Sequence, residues 1–214
     1  MEKLSEKLEK TLSCTAMAAE PMEIGDEASK PVGTVDLLRR FLSVQENRAE
    51  IYARLKRGFT EYLSTGSHRA YQQLCSEITT EFNDCSKQVI EMESILGSSD
   101  YCREDLVNLL KTVQAHEKQK LHMTATIQVL KKAGRPSERL VTHERCQFKD
   151  RPFQHQCIHV NELTEATGLE DAEADAEYDA ALNEAIRAVQ ETVTRINEHV
   201  EEIRYEIEEL ESRE

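Results

Sequence analysis

A chain of 214 residues with 32% charged, 39% hydrophobic and 5% aromatic residues, and no tryptophan, cannot wrap a thick globular core but can cover long helices. Seven glycines and four prolines argue against an all-β or collagen-like chain. No apolar run approaches the roughly 18 residues a membrane span needs, and the opening Met1-Glu-Lys-Leu-Ser-Glu-Lys7 is too polar for a secretory signal. A protein that is neither secreted nor membrane-bound is expected. Its net charge is −14.

Residues 1–33 form a weak prelude. Leu4, Leu8 and Leu12 lie four apart and allow a short amphipathic helix, followed by a disordered linker. Between Pro31 and Pro136 there is no proline, which leaves room for three long helices. The first is read over Thr34–Thr65, with Thr34 as N-cap and Asp36 favouring the first turn. Its stripe is Val35, Leu38, Leu42, Gln45, Ala49, Tyr52, Leu55, Phe59 and Tyr62, a heptad-like spacing. Tyr62 and Leu63 are expected to pack its end, and Gly66 to close it.

The second helix runs from about His68 to Leu96, on Tyr71, Leu74, Ile78, Phe82, Cys85, Val89, Met92 and Leu96. Gly97-Ser-Ser-Asp100 supplies a turn and a new cap. The third runs from about Asp100 to Ala133, on Leu106, Leu110, Val113, Leu121, Thr124, Ile127 and Leu130. Its centre, Gln114 to Lys120, is polar and reads as a weaker seam or a spot filled by another chain. Short breaks make these neighbours antiparallel, so 34–134 is taken as a three-helix bundle.

Residues 135–169 show no sustained period and are read as a loop or disordered insertion. The last helix is placed at about Asp171 to Ser212 in an acidic segment, 170–214. Its apolar positions are Tyr178, Leu182, Ile186, Val189, Val193, Ile196, Val200, Ile203, Ile207 and Leu210. Near-strict alternation of three and four predicts a narrow seam and a left-handed coiled coil. That seam offers a protein partner a docking face, in a homo- or a hetero-oligomer. The fold class is therefore all-α: an elongated antiparallel helical bundle with long coiled-coil helices.

Charge is uneven. Residues 111–160 carry 10 basic and 4 acidic side chains, and residues 161–214 carry 4 basic and 18 acidic. Nucleic-acid affinity comes mostly from neutralised phosphates. The only candidate footprint is Lys118, Lys120, Lys131, Lys132, Arg135 and Arg139, which is expected to pair with the acidic last helix or to be solvated. Direct nucleic-acid binding is thus expected to be weak or absent.

The six cysteines are irregularly spaced and read as reduced thiols, with Cys75 and Cys85 packed in apolar stripes. His143, Cys146, His155, Cys157 and His159 form the one metal-like cluster. A single residue between His155, Cys157 and His159 strains two ligands onto one ion, so no metal is assigned. His116 and His122 lie six apart and read as surface residues, and Glu198–Glu202 as an exposed helix face. There is no phosphate loop, dinucleotide turn or nucleophile elbow, so no enzyme, catalytic residue or cofactor is expected.

From Val35 to about Gly134 the chain resembles the "required for excision 1-B" domain family. The residues that carry this are Leu38-Arg-Arg-Phe-Leu-Ser-Val-Gln-Glu-Asn-Arg48-Ala49, Arg54-Leu-Lys-Arg-Gly58-Phe-Thr-Glu-Tyr62-Leu63 and the Ser-Thr-Gly66 that follows. The resemblance implies an all-helical protein linked to DNA excision repair, nuclear and in part cytoplasmic, with no catalytic residues to carry over. Residue physics alone leads to a generic coiled-coil adaptor or a cytoskeletal or tethering subunit. A small metal-binding regulator using the insertion is a third reading.

Overall fold

The structure is a computed structural model that describes residues 33–138 and 165–213. The Leu4–Leu12 helix, the linker, Arg139 and the cluster His143, Cys146, His155, Cys157 and His159 lie outside the described residues. Among those described there are four α-helices and no strand: α1 (Thr34–Thr65), α2 (His68–Leu96), α3 (Glu104–Ala133) and α4 (Glu165–Glu211), with a 3₁₀ turn at Pro136–Glu138. No described helix is long and apolar enough to cross a membrane.

The helices form an all-α antiparallel bundle, as the pairs between them show. Arg40–Glu91 and Arg54–Glu81 join α1 to α2. Gln114 to Ser86 and Gln128 to Tyr71 join α3 to α2. Arg103 and Arg135, which flank α3 at its two ends, pair with Glu206 and Asp179 of α4. In each set one number rises as the other falls. α4 lies chiefly along α3 and, where Arg39 meets Glu211, against α1. At about 1.5 Å per residue, its 47 residues span roughly 70 Å.

Three boundaries differ from the sequence reading. Gly33, not Thr34, caps α1, and its cap makes no side-chain hydrogen bond. α3 begins at Glu104 because residues 98–102 close a tight turn, with Cys102 and Arg103 donating backbone N–H groups to the Ser98 and Leu96 carbonyls. Cys102 holds a positive φ of 50° there. α4 starts at Glu165, so Gly168 falls inside it instead of preceding it.

The face of α2 is as the periodicity predicts, with Cys75 buried where Leu74 is half-buried. The first half of α1 is rotated from the expected stripe. Leu37, Leu38, Phe41, Val44, Arg48 and Ile51 are buried, while Ala49 is exposed and Gln45 half-buried. A helix touching two neighbours needs a wider buried arc than a heptad seam. On α4, Ile196, Ile203 and Ile207 join the core, with Val200 packed against it. Val189 and Val193 are half-buried, and Ala185 and Thr192 take the buried positions beside them.

Tyr62 stacks on Tyr71 with ring centroids 4.8 Å apart and planes 5° apart. Leu63 is 48% exposed: one residue on from Tyr62 it sits about 100° round the helix, so it is not part of that packing. Gly58 lies close to α2: a Cβ there would come within 2.0 Å of Leu74 Cδ2, so that side chain would have to turn aside. Gly58→Ala should therefore lose about 1–3 kcal/mol by overpacking, despite alanine's better helix propensity. Urea titration checks this, and a stabilised variant would show that Leu74 turns aside freely.

Candidate functional site

Midway along the bundle the apolar core gives way to a polar layer. Three helices contribute to it. α1 supplies Gln45, Arg48 and Tyr52; α2 supplies Ser86; α3 supplies Gln114, Glu117 and Lys120. Arg48 and Glu117 are only 2% and 6% exposed, although buried polar groups persist only when hydrogen-bonded. The partners are on hand. Arg48 donates to Gln114 Oε1 and, at 3.4 Å, to Ser86 Oγ. Gln114 Nε2 donates to the Ser86 carbonyl at 3.2 Å. With its amide turned to suit both neighbours, Gln45 accepts from Arg48 at 3.0 Å and donates to Glu117 Oε1 at 3.2 Å.

Lys120 completes the layer. Its ammonium lies 3.4 Å from Glu117 Oε1 and 3.9 Å above the Tyr52 ring centroid. Burial lowers the Lys120 pKa and the Arg48 charge adds to that, while Glu117 opposes it. Burial likewise pushes the Tyr52 phenol well above its usual range, helped by Glu117. Tyr52 donates to the Glu117 backbone carbonyl at 3.3 Å. Glu117 Oε2 is buried without a partner.

The Gln114–Lys120 stretch, read as a weak seam or a spot taken by another chain, is filled on its inner side by Arg48 of α1, while Gln114, Ala115 and Lys118 also line an open cleft. Period counting missed Arg48 because a charged residue is not scored as a core position. The one available signal was the coincidence of a polar centre on α3 with a polar pair, Gln45 and Arg48, inside the first helix.

The seam residues are not brought to this layer. Ile196, Ile203 and Ile207 join the apolar core, with Val200 packed against it, and Tyr62 lies at the far end of α1. His116 also departs from the sequence reading. It is half-buried between α3 and α4, stacked on His199 at 5.5 Å and 14°, whereas His122 is exposed. His116 Nδ1 is buried without a partner. Around the pair stand Arg195, bound to Glu198, and Glu202, which contacts His199 Nδ1 at 3.3 Å.

Burial holds the His116 pKa below its ordinary value, with His199 and Arg195 adding to it. The fold thus favours neutral His116. The stability this provides is present above the unfolded pKa of about 6.5 and is lost as pH falls towards the folded value. Urea titrations from pH 7.5 to 5 should show that loss, and His116→Leu should flatten it. An unchanged slope in the variant would place the pH dependence elsewhere.

The basic stretch is largely engaged. Lys132 sits 4.6 Å over the Tyr62 ring, and Arg135 pairs with Asp175 and Asp179. Lys118 and Lys131 are exposed. The Gln45, Arg48 and Tyr62 positions all fall in a segment with known relatives. Residues 36–131 match the DNA repair REX1-B family. The matched segment spans most of α1 to α3 and holds every member of the polar layer. The chain is 27% identical over 107 residues to the mouse (Mus musculus) protein named "Required for excision 1-B domain-containing protein". That match covers 49% of this chain and 62% of the mouse one, so the chain spans less than two thirds of its curated relative. No solved structure matches. All of α4, with its acidic surface, lies outside the matched segment.

Proposed function

We propose that the protein is a non-enzymatic accessory factor of DNA excision repair that works through protein partners in the nucleus. The observation that carries this reading is the REX1-B match over residues 36–131. The polar layer supports it in a second way. Arg48 is spent on neutral side chains and Glu117 Oε1 on Lys120 and Gln45, as in a layer that fixes helix register. Of the basic stretch, Lys120, Lys132 and Arg135 are committed to intramolecular contacts, leaving few cations on one face for phosphates. The −14 net charge opposes a duplex further.

Two measurements test the reading together. Cells lacking the gene should be more sensitive to ultraviolet light, with rescue by the wild-type chain but not by Ile203→Asp. Purified protein should bind duplex DNA no more tightly than ordinary non-specific affinity, about 10⁻⁴–10⁻⁶ M at physiological salt. Wild-type resistance in deleted cells would leave the generic adaptor reading in place. Tight, steeply salt-dependent binding would move the function onto Lys118 and Lys131.

A further inference from the structure

Above the polar layer, α2 and α3 stand apart and leave an open cleft of about 270 Å³. On α3, Lys111, Lys118 and Leu121 line it, with Gln114 between them. This i, i+3, i+7 and i+10 spacing is one helix face, and it runs about 15 Å along the axis. Phe82 and Ile90 form the opposite wall. Ile90 is 44% exposed, although it faces this cleft.

The cleft has a sign. Arg48 lies behind Gln114 and contacts only neutral side chains; among the described residues no carboxylate reaches ion-pair distance of it. Lys111 and Lys118 stand exposed on the rim. Of the two lining carboxylates, Glu117 is taken up by Lys120, and Glu93 is half-buried, its carboxyl pushed up by burial against the pull of Lys111. A cationic apolar cleft stands out on a chain of net charge −14.

We propose that this cleft docks an acidic amphipathic helix of a partner protein. A bulky apolar side chain seats among Phe82, Ile90 and Leu121, and a carboxylate one turn away meets Lys111 or Lys118. Helix-in-groove recognition of this kind reads anchors at i, i+3, i+4 and i+7, which the 15 Å face accommodates. Two rim cations are too few for a nucleic-acid backbone, whose affinity grows with each phosphate neutralised. The proposal rests on the reading that the protein works through protein partners, and it names one surface and its complement.

The test selects a phage-displayed library of amphipathic helical peptides against the full chain. Selected peptides should share an apolar residue with Asp or Glu three or four positions away. Their affinity should fall at least tenfold for Ile90→Asp and for the Lys111→Glu, Lys118→Glu double variant, both of which change exposed side chains and should melt as wild type. The proposal is overturned if no peptide is recovered, if selected peptides lack the acidic position, or if they bind both variants as well as wild type. It is also overturned if short single-stranded DNA competes for the cleft better than any peptide. Ultraviolet resistance of deleted cells is a separate readout: it removes the repair reading without altering the peptide result, whereas a failed selection leaves the damage phenotype standing.

Discussion

Replacing Arg48 with alanine should destabilise the bundle by about 2–5 kcal/mol, from neutral acceptors left unpaired and from the void that the side chain leaves. The guanidinium fills the centre of the polar layer and satisfies Gln114, Ser86 and Gln45. Without it, Gln114 Oε1 loses its donor and a void opens between three helices. Glu117 loses the nearby positive charge that shares the layer with it. Arg48→Met should cost less than Arg48→Ala, since it refills the volume while still leaving acceptors unpaired. Guanidinium titration of the three proteins checks the order. An alanine variant within 1 kcal/mol of wild type would mean that water fills the layer at little cost.

The second large effect is expected on α4. Ile203 is fully buried where α4 joins the common core. Truncation of such a side chain costs about 2–5 kcal/mol, and Ile203→Asp adds a buried carboxylate with no partner. Total stabilities are about 5–15 kcal/mol, so the variant should release α4 or unfold the chain. Glu202→Lys, one position away on an exposed side chain, should stay within about 0.5 kcal/mol of wild type. Circular dichroism melting separates them, and equal melting of the two variants would falsify the seam.

The sequence was most legible where apolar spacing and burial coincide. α2 shows this from Tyr71 to Leu96, where one stripe serves both of its neighbours. α1 was less legible because its first half meets the end of α4 as well as α2, and Leu37, Phe41, Val44 and Ile51 widen its arc. The end of α1 returned to the expected positions at Leu55, Phe59 and Tyr62. The polar layer was legible only as a lapse. Periodicity finds where apolar residues belong, but it cannot tell whether a polar stretch meets water or a buried arginine from a helix more than 60 residues away in sequence. His116 was missed for the same reason: its partner is His199, and spacing within α3 carries no trace of it. The His and Cys residues of the 139–164 stretch lie outside the described residues.

The ion pairs of Arg135 with Asp175 and Asp179, together with the Ser137 amide on Asp175 Oδ1 at 3.0 Å, fasten α3 to α4 just where the chain leaves one and before it has run far along the other. For a polymer this is a closed ring whose ends are held by the scaffold. The entropy of closing such a ring grows only with the logarithm of its length, about 0.6 kcal/mol for each doubling. Because Arg135, Ser137, Asp175 and Asp179 supply the clasp themselves, a flexible insertion made after Glu138 should leave the stability of α1 to α4, measured by melting, within about 1 kcal/mol of wild type.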